Sequence, residues 1–143
     1  MSNFEKAYEF AKVAHKGQKD KAGKDYINHP LTVASFVDSE DEKIVAMLHD
    51  VLEDTDTTKT ELEELFGQRV ADAVALLTRD KSEDYFSYVR KIRDSGNELA
   101  KRVKLADLKH NMDLSRLPVV TQKDIDRCEQ KYKVALSIIE SVQ

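Results

Sequence analysis

The sequence predicts an all-α fold, a single helical bundle of about eight helices. Only four glycines and two prolines interrupt its 143 residues. Apolar residues recur at every third or fourth position, and no segment shows the strict alternation typical of a half-buried strand. A chain of this length is one typical domain that can bury a single core. We therefore assign residues 1–143 to one domain.

The first three helices are predicted from apolar spacing and from one proline. Helical spacing predicts a first helix over residues 2–14, and the polar segment 15–29 that follows is read as a loop. Loops of this length in a compact domain are usually functional or disordered. Pro30, directly after His29, predicts the start of a second helix, because proline suits the first helical position. Residues 41–54 are predicted to form a third, continuous helix.

Turn chemistry sets the bounds of the next two helices. Thr58 and Glu61 have the spacing of a capping box, which predicts a helix start, and Gly67 supplies the stop. The segment "QRVADAVALLT" then predicts a fifth helix. Its apolar stripe consists of Val70, Val74 and Leu77.

Three further helices complete the predicted bundle. Ser82 is read as the N-cap of a sixth helix, which ends near the segment "DSGN". The segment "AKRVKLADLKHNM" lies in a seventh. Thr121 with Asp124 opens a last helix that runs almost to the C-terminus.

Composition excludes several classes of partner. A formal net charge of −4 argues against broad nucleic-acid binding, which needs a positive surface. No apolar run approaches the ~18 residues of a membrane span. Cys128 is the single cysteine and the N-terminus resembles no signal peptide, so we expect a cytoplasmic protein. A local group of lysines in the polar loop still favours a small anionic ligand: Lys16, Lys19, Lys21 and Lys24.

The segment "MLHDVLEDT" concentrates chemistry-bearing side chains. On one continuous helix, His49, Asp50, Glu53 and Asp54 fall within an arc of roughly 140°, opposite an apolar side. Any amphipathic helix with a solvated acidic face shows this separation. The acids also lie near a helix C-terminus, where the helix dipole disfavours negative charge and a bound cation would offset the cost. This segment alone leaves both interpretations open.

Two residues elsewhere complete a possible coordination sphere. His29 stands at the edge of the polar loop, and Asp107 lies among apolar neighbours in "VKLADLKHNM". Together with His49 and Asp50 they provide two imidazoles and two carboxylates, which neutralise a divalent ion and leave positions for water and substrate. Mixed nitrogen and oxygen ligands suit manganese, iron or zinc better than calcium. The sequence therefore predicts a site for one divalent metal.

The order His29, His49-Asp50, Asp107 is similar to that which names the HD phosphohydrolase superfamily. Over about residues 4–115, the blocks "AHKGQKDKAGKDYINHPLTVA", "AMLHDVLEDTDTT", "ELFGQRVADAVALLT" and "VKLADLKHNMDL" resemble the hydrolase domain of RelA/SpoT-type alarmone enzymes, most of all the stand-alone small alarmone hydrolases. The resemblance implies an all-helical HD domain holding one metal, commonly Mn²⁺. It also implies removal of the 3′-diphosphate of (p)ppGpp, with release of pyrophosphate and GDP or GTP.

The resemblance also implies roles for individual residues. The four metal ligands are those named above. Glu53 and Asp54 match the acidic catalytic pair that follows the HD motif, and which one is base and which acid is left open. Substrate contacts are implied for Lys21 with a phosphate, for Asn111 with the nucleoside, and for Tyr132 in the final helix.

The chain departs from the family pattern in its polar loop. Asp20 stands where the alarmone hydrolases carry an arginine that packs against guanine, and Ala22 replaces a serine or threonine. An HD phosphohydrolase acting on another nucleotide or on NADPH is therefore an alternative, and a non-catalytic nucleotide-binding sensor is a third interpretation. His15 and His110 are interpreted as loop-anchoring and surface polar groups. The sequence does not predict the oligomeric state.

Overall fold

The computed structural model describes residues 2–141 and has no strand among them, so the all-α prediction is confirmed. An isolated bridge between Lys19 and Asp25 is the extended pairing in the polar loop. A 3₁₀ turn covers Leu114–Arg116, and a π-helical turn covers Cys128–Tyr132. The α-helices are α1 (Asn3–Ala14), α2 (Asn28–Ser35), α3 (Glu40–Leu48), α4 (Val51–Asp54), α5 (Lys59–Phe66), α6 (Gln68–Leu76), α7 (Tyr85–Asp94), α8 (Glu98–Asn111), α9 (Gln122–Arg127) and α10 (Lys133–Glu140).

The predicted continuous helix over residues 41–54 is wrong, because the chain breaks between α3 and α4. The Nδ1 atom of His49 lies 2.6 Å from the carbonyl oxygen of Ala46. In a continuous α-helix that oxygen would accept from the backbone N–H of Asp50. The imidazole replaces this backbone bond, and the next helical bond runs from Asp54 N to Asp50 O at 2.9 Å. Glu53 and Asp54 therefore lie on a separate short helix.

The capping box of α5 forms as predicted. The backbone N–H of Glu61 donates to Thr58 Oγ1 and the backbone N–H of Thr58 donates to Glu61 Oε1, both at 3.2 Å. Gly67 follows with a φ of +92°, a conformation that favours glycine, and lets α6 start at the next residue. The ends of α5 were therefore correctly predicted.

Ser82 is not the N-cap of α7, so that prediction is wrong. Its hydroxyl donates to Asp80 Oδ1 at 2.8 Å and closes a turn before the helix. Asp84 caps α7 instead, accepting from the backbone N–H of Ser87 at 2.9 Å. Both residues are good caps by type, and the local bond to Asp80 decides between them.

The last predicted helix begins correctly but is not regular. Thr121 and Asp124 form the predicted capping box. The π turn then joins α9 to α10 and places one extra residue in the turn. If α3 with α4 and α9 with α10 are each counted as one unit, the described residues contain eight helical units, as predicted.

Helix α8 lies at the centre of the bundle and packs against α2, α3, α6, α7 and α10. Its side chains Val103 and Leu108 are fully buried, as are Met47 and Leu48 of α3. Four buried polar side chains interrupt this core and line one cavity: His29, His49, Lys104 and Asp107. The core thus brings the predicted metal ligands of α2, α3 and α8 to one place. Within residues 2–141, no helix is long and apolar enough to cross a membrane.

Candidate metal centre and hydrolytic site

His49 is held with one ring nitrogen free. Its Nδ1 atom donates to the Ala46 carbonyl, so Nε2 is the ring nitrogen that faces the cluster. Nε2 is buried and lies 3.1 Å from Asp50 Oδ2 and 3.3 Å from Asp107 Oδ1. Neither these oxygens nor any other atom of residues 2–141 is aligned to form a hydrogen bond with it. Backbone bonds of this kind orient metal-binding imidazoles. The helix break described above thus also sets the orientation of a predicted ligand.

His29 is oriented by a second histidine. Its Nδ1 atom lies 2.7 Å from Nδ1 of His110, and the two rings stack with centroids 4.9 Å apart. Burial and then the charge of His29 lower the pKa of His110 to about 4, so His110 is neutral near pH 7. A neutral His110 accepts from Nδ1–H of His29, and His29 Nε2 therefore faces Asp107 Oδ1 at 2.9 Å.

Asp50 is held by a tyrosine of the polar loop. The hydroxyl of Tyr26 donates to Asp50 Oδ2. Burial and then the charge of Asp50 raise the pKa of Tyr26, so the phenol remains a donor. Burial raises the pKa of Asp50, but the charge of His49 outweighs it and lowers that pKa to about 2. Asp50 is therefore a carboxylate.

Asp107 has its two oxygens in different surroundings. Oδ2 accepts from Nζ of Lys104 at 3.0 Å, while Oδ1 faces His29, His49 and the Asn111 amide. Burial raises the pKa of Asp107, but the Lys104 charge and the histidine contacts hold it well below the usual value. Asp107 therefore presents one anionic oxygen to the histidines.

These contacts bring all four predicted ligands together. His29, His49 and Asp50 each offer one atom within 4.8 Å of the other two, and Asp107 Oδ1 contacts both imidazoles. Ligands about 2.1 Å from one ion lie roughly 3–4 Å from each other. Burial lowers the pKa of His49, but the Asp50 and Asp107 carboxylates outweigh it and raise it well above its usual value. A cluster that attracts positive charge, with an unbonded imidazole nitrogen, fits a divalent cation.

The two predicted catalytic acids lie at the same cavity but differ in their contacts. Glu53 Oε1 accepts from the backbone N–H of Arg79 at 2.8 Å. The carboxylate of Asp54 accepts no hydrogen bond from residues 2–141, while its backbone oxygen accepts from Gln18 Nε2 at 3.1 Å. Burial and then the charges of Asp50 and Glu53 raise the pKa of Asp54 to about 6. Glu53 is thus fixed and Asp54 is free to exchange a proton.

The three predicted substrate contacts also line this cavity, whose volume is about 390 Å³. Lys21 comes from the polar loop, Asn111 from the end of α8 and Tyr132 from the π turn. Asn111 Nδ2 lies 3.3 Å from Asp107 Oδ1, so this side chain touches both the ligand cluster and the cavity. The cavity volume is within the range of about 300–1,000 Å³ for small-molecule sites.

The side chain of Asp20 forms hydrogen bonds within the polar loop. Its Oδ1 accepts from the backbone N–H groups of Ala22 and Lys24 at 2.8 and 3.0 Å. This turn places Gly23 at a φ of +80°. The carboxylate that replaces the family's arginine is therefore bonded to its own loop.

Three residues of the site were not predicted from the sequence. His110 was interpreted as a surface group, and that interpretation is wrong because it is packed on His29. Tyr26 and Lys104 were not singled out, although each holds a carboxylate of the cluster. Lys104 lies three residues before Asp107, and this spacing on one helix was the signal for that pair.

The geometry agrees with the comparison to known families. The model of an HD domain matches residues 7–117. The chain belongs to the HD-domain family. An HD domain implies a divalent metal, and the cluster of His29, His49 and Asp50 in this HD domain is a possible site for it.

Two relatives show which HD-domain proteins this chain is similar to. The HD domain is 42% identical to guanosine-3′,5′-bis(diphosphate) 3′-pyrophosphohydrolase MESH1 of Danio rerio, over 75% of this chain and 66% of that protein. It is 36% identical to the bifunctional (p)ppGpp synthase/hydrolase SpoT of Escherichia coli, over 78% of this chain and 18% of that protein. The chain thus matches less than two thirds of the length of these relatives.

A solved structure extends the similarity to the whole bundle. It is described as a metazoan ortholog of SpoT that hydrolyzes ppGpp and plays a role in starvation responses. The two chains superpose with a TM-score of 0.81 at 28% identity, over 99% of this chain and 87% of the other. The expected resemblance to the alarmone hydrolases, stand-alone members included, is confirmed.

Proposed function

We propose that this chain hydrolyses the 3′-diphosphate of (p)ppGpp, releasing pyrophosphate and GDP or GTP, with Mn²⁺ as its metal. The observation that carries the proposal is the convergence of His29, His49, Asp50 and Asp107 in a cavity that lysines and arginines also line. The names of the relatives support this substrate. The proposed ligands are these four side chains.

The bound metal would polarise a phosphoryl oxygen and lower the pKa of the attacking water. The chain's own residues prepare the site for it. Ala46 and His110 direct the imidazole Nε2 atoms inward, and Tyr26 and Lys104 each hold one carboxylate. Orienting contacts of this kind typically raise metal affinity by about 10- to 100-fold.

Asp54 is the proposed proton carrier and Glu53 its fixed partner. Hydrolysis forms a bond from water oxygen to phosphorus and breaks the bond from phosphorus to the 3′-oxygen. The water loses a proton and the departing 3′-oxygen gains one. Asp54 has a carboxylate without a hydrogen bond in residues 2–141, so it is free to move a proton. Glu53 is anchored by the Arg79 backbone and is suited to orient the water.

The substrate contacts follow from the cavity walls. Lys21 is proposed to bind a phosphate, since it lines the same cavity as the ligand cluster. Asn111 is proposed to contact the nucleoside from the end of α8, and Tyr132 offers its ring to the ribose or base. Tyrosine rings pack on such groups while the hydroxyl stays polar.

Hydrolysis of another nucleotide, such as NADPH, is the second candidate. The observation that favours it is the loop bond of Asp20, which leaves no arginine at the position that packs guanine in the family. A non-catalytic sensor is a weaker interpretation, because Glu53 and Asp54 accompany the full ligand set at the cavity.

A substrate panel tests the proposal. Mn²⁺-loaded protein is incubated with ppGpp, pppGpp, NADPH and deoxynucleoside triphosphates, and released pyrophosphate and phosphate are measured separately. We expect pyrophosphate from the two alarmones and loss of activity in Asp50→Ala and Glu53→Ala. Release of phosphate from NADPH, with no pyrophosphate from the alarmones, would show that NADPH is the substrate instead. Binding of nucleotide without any product would favour the sensor.

A further inference from the structure

Part of the cavity wall is formed by cations that lie outside the predicted metal cluster. Besides Lys19, which pairs with Asp25, and Lys104, which pairs with Asp107, four positively charged residues line the cavity, each from a different segment of the chain. They are Lys21 of the polar loop, Arg79 after α6, Arg116 of the 3₁₀ turn and Lys131 of the π turn. Only Lys21 among them was a predicted substrate contact.

Lys131 is a half-buried cation that is held by aromatic rings. Its Nζ atom lies 4.5 Å from the centroid of the Tyr85 ring and 5.8 Å from that of Tyr132. It forms no ion pair with any carboxylate of residues 2–141. Cation–π contacts hold a lysine in place but leave its charge unneutralised. Lys131 is therefore positioned to bind an anion.

Neighbouring cations make this wall unfavourable without an anion. The Tyr85 ring also lies under Lys104 and Arg79, at 5.4 and 5.8 Å. Burial and then the charges of Arg79, Lys104 and Arg127 lower the pKa of Lys131. Like charges gathered at a partly desolvated surface repel each other, and a bound anion relieves that repulsion.

The π turn explains why two adjacent residues serve the cavity. Neighbouring residues of an α-helix point about 100° apart. Within Cys128–Tyr132 the turn contains an extra residue, and both Lys131 and Tyr132 line the cavity. Single π turns occur frequently at functional sites. The π turn in the last helix thus brings both Lys131 and Tyr132 to the cavity.

We propose that Lys131 forms a second anion subsite, which binds the phosphate group of the nucleotide that is not cleaved. This inference rests on the proposed function, in which the cleaved diphosphate lies at the His29, His49, Asp50 and Asp107 cluster. The ligand class is a nucleoside 5′-diphosphate or 5′-triphosphate moiety. The subsite therefore favours nucleotides that carry phosphates at two positions.

A binding measurement tests the subsite without reference to activity. Metal-free protein is titrated with GDP by calorimetry, because GDP carries only the 5′-diphosphate and no metal is present to hold it. We expect Lys131→Met to weaken binding about tenfold, the loss of one charged hydrogen bond, and Lys131→Arg to restore most of it. Lys133→Met is the matched control, since Lys133 is exposed and paired with Glu129 at 2.7 Å. Equal affinity of wild type and Lys131→Met, or no binding by wild type, overturns the inference.

Kinetics separate this inference from the proposed function. With Mn²⁺, Lys131→Met is expected to lower kcat/KM about tenfold for ppGpp, through KM, and less than twofold for guanosine 3′-diphosphate, which lacks the 5′-phosphates. An equal loss on both substrates overturns the subsite while the activity stands. No hydrolysis of either substrate by wild type overturns the proposed function, and the GDP titration still decides the subsite.

Discussion

The Nζ atom of Lys104 lies 3.0 Å from Oδ2 of Asp107, and both side chains are buried. This ion pair fixes which oxygen of the aspartate faces the histidines. Because buried charges are costly when unpaired, each residue depends on the other. The pair joins the stability of α8 to the geometry of the proposed metal centre.

Lys104→Met should destabilise the metal-free protein by about 3 kcal/mol, because it leaves a buried carboxylate without its cation. Urea denaturation measures the loss. Lys101→Met is the control on the same helix, since Lys101 pairs with Glu98 at the surface at 3.7 Å and should change stability little. Equal stabilities of the two variants would show that Asp107 does not rely on Lys104.

His110→Ala should weaken Mn²⁺ binding about tenfold, because His29 loses the contact that directs its Nε2 atom inward. Calorimetric titration of metal-free protein with MnCl₂ measures the affinity. Lys109→Ala changes the exposed neighbour and should leave the affinity unchanged. Unaltered Mn²⁺ affinity in His110→Ala would show that His110 does not orient His29 for metal binding.

Gln18→Ala should lower kcat roughly tenfold, since small displacements of catalytic groups have large effects on rate. The Gln18 side chain joins the polar loop to α4 through its bond to the Asp54 backbone carbonyl. The backbone carbonyl of Gln18 accepts from the backbone N–H of Tyr26 at 2.9 Å. Steady-state kinetics on ppGpp measure the effect. Gln122→Ala, an exposed residue of α9, is the comparison. A kcat equal to that of wild type would mean that Asp54 needs no support from the loop.

Glu42 should give the protein an acid-sensitive component of stability. Burial raises the pKa of Glu42, but hydrogen bonds from Ser39 and Arg102 outweigh it and hold that pKa below the ordinary value of 4.5. A carboxyl group whose pKa is lower in the folded state stabilises the folded protein above pH 4.5. This contribution is lost as the pH falls through the pKa of the folded state. Glu42→Gln should therefore lower the free energy of unfolding by about 1 kcal/mol at neutral pH and by less in acid.

Urea denaturation across this pH range checks the Glu42 prediction, with Glu40→Gln as the exposed control on the same helix. A difference between wild type and Glu42→Gln that stays constant down to acid pH would contradict it. So would a similar pH-dependent difference in the control.

Features set by neighbouring residues were predictable from the sequence. The capping boxes of Thr58 with Glu61 and of Thr121 with Asp124 use bonds between residues three apart, and both form. The proposed ligands were also found, because their order matches a family pattern and apolar helices bring them together. Local chemistry thus predicted most of the helices, and a known pattern predicted the four proposed ligands, whose side chains lie together in the structure.

Features that depend on distant or competing contacts were not predictable. His110 meets His29 across 81 positions of sequence, and no local signal marks that contact. The break at His49 requires its ring to take the Ala46 carbonyl, which an amphipathic pattern does not reveal. The cationic wall combines four separate segments that line one cavity, so it exists only in the folded chain.

The metal dependence of ppGpp cleavage is the decisive measurement for the proposed metal centre. Protein stripped with a chelator is mixed with ppGpp, MnCl₂ is added, and pyrophosphate and GDP are measured together. We expect no product before the addition, equal amounts of both products after it, and none from Asp50→Asn at any Mn²⁺ concentration. Equal product from stripped wild type, or full activity in Asp50→Asn, would contradict the proposed metal centre.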